Sequence, residues 1–246
     1  MPALFTPLHQ IHEHAISVEG SDCNYLLNVL RLNAGDAVTF FDNQGSRYKT
    51  VIDSVVGHRA ECRIVQKDTR PLAPHPQIVL GQALIKGDKM EWVIQKATEL
   101  GVHQILPLLT ERTVPKPEKD ASRKLERWAT IAKEAAEQSE RWTLPVIHPP
   151  CKLSAIDWSA YALVLLCAAR GQSPRLSAPA VRDRVTALGA SDKLLLLVGP
   201  EGGFTPEEET LCLDHGAQAV SLSENILRAE TAAVVGVSQL AMVRAN

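Results

Sequence analysis

Near the C-terminal end, Gly199-Pro200-Glu201-Gly202-Gly203-Phe204-Thr205-Pro206-Glu207-Glu208 follows the apolar run Leu194-Leu195-Leu196-Leu197-Val198. Glycines at the carboxyl end of a strand let a ligand touch backbone amides and carbonyls, and open α/β sheets bind ligands at that end. A second segment, Leu222-Ser223-Glu224-Asn225-Ile226-Leu227-Arg228-Ala229-Glu230, reads as a strand end, a polar turn and a helix start. The helix dipole explains Glu230. It does not explain Arg228, because a cation is unfavourable at that end, so Arg228 calls for an anionic ligand or a carboxylate partner such as Glu201 or Glu224. Together the two segments supply a backbone cradle, a guanidinium fork and the carboxylates of Glu201 and Glu230. Those parts suit orienting a ligand, holding a developing anion and accepting a proton.

The familiar phosphate fingerprints are missing, since no GxxxxGK[ST] occurs and no GxGxxG follows a first strand. An ATPase or dinucleotide enzyme is therefore not expected. His9, His12 and His14 alternate, but no cysteine or other ligand clusters with them, so no metal site is expected. The five cysteines form no CxxC pair, which points to a reducing compartment and a cytoplasmic location. The longest apolar stretch, 161–169, is far short of the ~20 residues of a membrane span.

These residues need elements to hold them. Thr205 is placed to cap a helix, with Pro206 at its first position and Glu208 completing a capping box. Strands are predicted at 78–84, 105–109, 162–166, 194–198 and 218–222, alternating with helices at 89–100 and 122–138. That alternation predicts an α/β domain with a largely parallel sheet. In the second of those helices Leu125, Trp128, Ala132, Ala135 and Ala136 recur at three- and four-residue steps. After Arg228, the small residues Ala229, Ala232, Ala233 and Gly236 let a helix lie close to another backbone.

Upstream, β-rich runs at 37–41, 48–52 and 61–66, with a turn at 42–45, suggest a small barrel or sandwich. One helix precedes them, capped by Ser21 or Asp22, with Leu26, Leu27, Val29 and Leu30 on its buried side and Gly35-Asp36 closing the turn. Pro71, Pro74 and Pro76 mark the linker, giving expected domains 1–72 and 73–246.

Charge is uneven: 26 basic against 28 acidic residues give −2 overall. Residues 112–133 nevertheless hold seven basic and three acidic side chains, a local +4, among them Arg112, Lys116 and Arg123. That is either a solvated helix face or a footprint for phosphate backbones. Arg31, Arg47, Lys49 and Arg63 offer a second patch.

The pair GPEGGFTPEE and LSENILRAETA resembles the cofactor loops of the SPOUT methyltransferases, and of the RsmE family in particular, which methylates N3 of a uridine in 16S ribosomal RNA. The blocks VLRL with Gly35-Asp36, KGDKMEWVIQKATELG and LERWATIAKEAAEQSER extend the resemblance over nearly the whole chain. It implies a C-terminal SPOUT-type trefoil-knot α/β domain with a small N-terminal PUA-like β-barrel. It further implies a homodimer, S-adenosyl-L-methionine as cofactor, and 16S rRNA of the small ribosomal subunit as partner.

Carried onto this chain, cofactor contacts fall to Leu166, Val198, Gly199, Pro200, Gly202, Leu222, Ser223, Ile226 and Leu227. Arg228 falls to catalysis, with Glu201 or Glu230 as proton acceptor. RNA contacts fall to Arg31, Arg112, Lys116, Arg123 and Arg141. Two positions depart from the family pattern: Ser223 stands where glycine is more usual, and Glu140 replaces the glycine before Arg141.

Overall fold

The computed structural model describes residues 3–70, 75–114, 121–168 and 173–244. The expected linker prolines Pro71 and Pro74, and the candidate Lys116, lie outside the described residues. The chain parts into two units, Met1–Leu72 with Ala136–Leu144, and Ala73–Ala135 with Pro145–Asn246. Sequence patterning assigns 136–144 to the C-terminal domain; the structure groups it with the first unit. The physical reason is packing, since Ala136 and Leu144 share a cluster with Ala3, Phe5 and Phe41.

The first unit holds β1 (Ala3–Phe5), β2 (Ala15–Glu19), α1 (Gly20–Asn24), β3 (Ala37–Phe41), β4 (Ser46–Val56) and β5 (Arg59–Thr69). Its strands run β1-β3-β4-β5-β2 in one curled sheet. Alternate residues such as Val38, Phe40, Tyr48, Ile52, Ala60 and Cys62 turn inward onto Ile16, Val18 and Leu26. The β3–β4 turn is tied by buried Asp42. Its Oδ1 accepts the N–H groups of Gln44 (2.7 Å) and Ser46 (3.0 Å), and its Oδ2 accepts the Tyr48 hydroxyl (2.9 Å). Burial pushes the Asp42 carboxyl up, but hydrogen bonds from Ser46, Gln44 and Tyr48 outweigh it and hold the group below its ordinary value.

The first helix differs from its sequence reading. Its cap is Glu19, which makes no side-chain cap bond, and α1 passes into a π turn at Tyr25–Val29. The wider turn swings the side chains round: Leu26 is buried, whereas Val29 is 60% exposed.

The second unit holds β6 (Gln77–Ala83), α2 (Lys89–Glu99), β7 (Gln104–Leu109), most of α3 (Ala121–Gln138), β8 (Val146–Ile147), β9 (Cys151–Lys152) and β10 (Leu163–Cys167). It continues with α4 (Pro179–Thr186), β11 (Lys193–Val198), α5 (Pro206–Asp214), β12 (Gln218–Val220) and α6 (Ala229–Arg244). The sheet order is β12-β10-β11-β6-β7-β8, with β9 also on β7, and every pairing is parallel.

Strand β11 is apolar because it is buried on both faces. Leu194, Leu196 and Val198 join a core with Met90, Val93 and Ile94 of α2, Val181 of α4, and Ala233 and Val237 of α6. Leu195 and Leu197 point the other way, toward Phe204 and Cys212 of the α5 side. Among the described residues no helix is long and apolar enough to cross a membrane.

Candidate functional site

Strands β12, β10 and β11 are neighbours, and their carboxyl ends release three loops. Cys167-Ala168, 198–201, 203–204 and 221–228 line one cleft of about 520 Å³, which α6 continues through Ala229 and Ala232. Its size is that of a site for a small organic ligand.

The glycine loop is held from within. A Cβ on Gly199 would stand 3.2 Å from both the ring and the backbone nitrogen of buried Phe204. Gly203 has φ +69° and donates its N–H to the Pro200 carbonyl at 2.9 Å, a turn only glycine makes without strain. At its exit, the Thr205 hydroxyl accepts the Glu208 N–H (3.3 Å) and the Glu208 carboxylate accepts the Thr205 N–H (2.9 Å). This is the capping box that the spacing predicts.

Arg112, a candidate for RNA contact, also holds this loop. Its Nη1 donates to the carbonyls of Gly202 (2.8 Å) and Phe204 (3.1 Å), and its stem packs on Gly202, so the side chain braces the loop. Long arginine stems stabilise by packing as well as by charge.

The second loop is closed by Ser223, whose hydroxyl accepts the Asn225 N–H at 3.2 Å and whose carbonyl accepts the Ser221 hydroxyl at 3.0 Å. A hydroxyl thus organises the turn at this departure from the family pattern. Glu140, the other departure, has φ +54°, in the region that favours glycine. Its carbonyl accepts from Arg47, and Arg47 and Arg70 lie 4.7 and 4.4 Å from the Trp142 ring centroid. Arg47 is thereby committed within the first unit, and Lys49 and Arg63 bond Gln66 and Asp53.

Arg228 caps α6, its carbonyl accepting the Ala232 N–H at 2.8 Å. The guanidinium is exposed on the cleft and makes no hydrogen bond or ion pair with any described residue. The two carboxylates expected as its partners are engaged elsewhere: Glu224 with Arg175 at 2.6 Å, and Glu201 with the Lys86 N–H at 3.2 Å.

Glu230 pairs with Lys89 at 3.0 Å. Burial pushes its carboxyl up, but its own backbone N–H and the Lys89 and Arg228 cations outweigh that and hold it below its ordinary value. Cys167, at the cleft, has its thiol pushed up to about 12 by burial, so at neutral pH it is not a thiolate nucleophile.

The cleft therefore gathers Val198, Gly199, Pro200, Glu201, Leu222, Ser223, Ile226, Leu227 and Arg228. Leu166 and Gly202 stand behind it, the first buried in β10 and the second against Arg112. Glu230 is likewise not among its lining residues. Of the RNA candidates, Arg31 is exposed at φ +57° in the first unit and Arg123 is exposed on α3. Arg141 follows Glu140, with its N–H on the Ala136 carbonyl at 2.9 Å. Sequence reasoning missed Lys89, which lines the cleft from the start of α2. The signal was there, since a cation in the first turn of a helix is as anomalous at Lys89 as at Arg228.

Comparison with known proteins is consistent along the chain. Residues 73–241 match an RNA methyltransferase domain and residues 18–65 an RNA methyltransferase PUA domain. A ribosomal RNA small subunit methyltransferase E of Synechocystis sp. is 37% identical, covering 94% of this chain and 74% of the relative. That of Bacillus subtilis is 31% identical, covering 91% and 88%. Among solved structures, the ribosomal RNA small subunit methyltransferase E from Neisseria gonorrhoeae, bound to S-adenosyl methionine, is similar with a TM-score of 0.84 at 29% identity, covering 99% and 98% of the two chains. A Legionella pneumophila structure described as a methyltransferase with bound cofactor gives 0.83 at 30% identity, covering 97% and 96%.

Proposed function

The chain belongs to the ribosomal RNA small subunit methyltransferase E family, and from that premise we propose that it transfers a methyl group from S-adenosyl-L-methionine to N3 of one uridine in 16S rRNA of the small ribosomal subunit. The observation that carries this reading is the cleft: two loops on the carboxyl ends of parallel strands, with an unpaired arginine facing it. Its lining fits the cofactor. Apolar Val198, Leu222, Ile226 and Leu227 suit an adenosine moiety, backbone groups of 198–201 and 222–227 suit its polar edges, and Glu201, Glu209 and Glu224 complement a cationic ligand. S-adenosyl-L-methionine, when bound, supplies an electrophilic methyl group on a sulfonium centre.

Uridine N3 must lose its proton before its electron pair can take the methyl group, and in between the pyrimidine is an anion whose charge is shared with its two carbonyl oxygens. Arg228 stabilises the resulting negative charge with a fork of donors that no protein acid consumes. Glu201 is our choice of proton acceptor, supported by its position on the cleft and by an Oε2 that the Lys86 N–H leaves free. Gly199 and Gly203 keep the loop low enough for backbone contact, while Gly202 and Leu166 support it from behind. Exposed Arg31 and Arg123, with Arg141 and Lys116, supply RNA contacts, the first and third from the PUA-like unit.

The reading also includes a homodimer, a cytoplasmic location and a C-terminal segment threaded as a trefoil knot. Its domains are a PUA-like unit at 1–72, which 136–144 joins, and a methyltransferase unit over the rest of 73–246. The direct test is methyl transfer to small subunits lacking the modification, with mapping of the modified base. Label on N3 of a single 16S uridine is the expected result; no transfer, or transfer only to a small molecule, overturns the reading.

A further inference from the structure

Two cations reach the cleft from helix starts, Lys89 from α2 and Arg228 from the cap of α6. Each opposes its own helix dipole, so the dipole favours neither placement. The acid in the first turn of α2, Glu91, is paired with Arg127 at 2.7 Å and does not neutralise Lys89. The partner of Lys89 is Glu230, with Nζ to Oε1 at 3.0 Å and side-chain exposures of 39% and 14%. The carboxylate thus sits beneath an ammonium that stays accessible. An ammonium has three donors, and this contact uses one.

Glu230 is poorly placed to act on substrate itself. It is not among the lining residues, and its Oε2 is buried with no hydrogen-bond partner. The other charged groups on the cleft are Glu201, Glu209 and Glu224, and Glu224 is taken by Arg175.

We propose that Lys89 is a second cleft cation that meets the anionic substrate together with Arg228, and that Glu230 is the positioning residue that holds it there. The inference rests on the methyl-transfer reading above. Its ligand chemistry is an oxyanion, which the substrate offers in two forms: the pyrimidine oxygens that share the charge once N3 loses its proton, and the flanking phosphodiesters. The Lys89–Glu230 pair keeps one cation fixed in the cleft before substrate arrives. Preorganisation of that kind avoids reorganisation during the reaction.

The test uses the full-length protein, small subunits lacking the modification, and calorimetry with S-adenosyl-L-methionine. If wild-type protein transfers no methyl group, it is the functional reading that fails. Where it does transfer, Lys89→Met is expected to lower kcat/KM by about tenfold to a hundredfold, the scale of a lost charge-assisted hydrogen bond, with cofactor affinity within about twofold of wild type. A fall in kcat assigns the pyrimidine oxyanion; a rise in KM assigns a phosphate. Lys89→Arg should retain more activity than Lys89→Met, and Lys89→Gln takes the place of Lys89→Met should that variant not fold.

Glu230→Gln should lower turnover in the wild-type background and add little in the Lys89→Met background, as expected for residues acting as one unit. Wild-type kinetics in Lys89→Met, or a loss confined to cofactor affinity, overturns the proposal. So does a Glu230→Gln defect that persists in full without Lys89 and removes the acid limb of the pH–rate profile, because Glu230 would then be the proton acceptor.

Discussion

At the scale of single residues, Arg228 carries the sharpest expectation. A cation at a helix N-terminus opposes the dipole at a cost of roughly 0.3 to 1 kcal/mol. No described acid offsets that cost through an ion pair, since Glu224 and Glu201 are engaged elsewhere. Glu230 attracts the guanidinium without pairing, and an anionic substrate would complete the compensation. Arg228→Lys keeps the charge but loses the fork, and Arg228→Ala loses both, so each should lower kcat/KM on small subunits, Ala by the larger factor. Melting temperature and cofactor affinity should change little. Wild-type turnover in either variant would make Arg228 a structural residue. Arg112 teaches a second lesson: its place in a basic run suggests RNA, and its Nη1 also holds two loop carbonyls. Charge along a chain does not show which backbone a side chain meets.

At the scale of elements, the glycine loop and the β3–β4 hairpin make separate predictions. A valine at 199 would press on the ring and backbone of Phe204, which is anchored in the core, so the loop rather than Phe204 must move. Gly199→Val should therefore weaken S-adenosyl-L-methionine binding in calorimetry by about tenfold or more while the fold survives, each tenfold corresponding to about 1.4 kcal/mol. Unchanged affinity would remove the loop from the site.

In the hairpin, Asp42→Ala strands three donors and should cost about 2 to 3 kcal/mol in urea denaturation. The pH dependence has a definite sign. The folded pKa of Asp42 lies below the unfolded value of 3.8, so its contribution is present above 3.8 and is lost as pH falls below that through the folded value. Wild-type stability should drop over that acid window more than that of the variant. Equal slopes would show that the fold leaves the Asp42 carboxyl at its unfolded value.

At the scale of the molecule, α6 is the element to watch. Its small residues bring it so close to β11 that a Cβ on Gly236 would stand 2.6 Å from the Leu196 side chain. Its far end leaves Met242 68% exposed. The proposed homodimer should sediment at twice the chain mass at micromolar concentration, with an interface above ~1,000 Å² in total. A monomer under those conditions would count against it. Met242→Glu should shift the equilibrium toward monomer if the exposed end of α6 contributes to the interface.

The sequence by itself determined the elements whose information is local. Strand β11, helices α2 and α3, the Thr205 capping box and the small-residue face of α6 were legible because periodicity, caps and apolar runs act within a few residues. The two loops of the cleft were legible for the same reason. The short strands β1, β8 and β9 were not, because they exist only through their partners in the sheet.

The tertiary structure alone decided which groups meet. It set Lys89 against Glu230, 141 residues apart in the chain (230 − 89), placed Arg112 on the glycine loop, and joined 136–144 to the first unit. Those outcomes depend on parallel strand order and on burial, which sum contacts over the whole chain, and no local pattern encodes them.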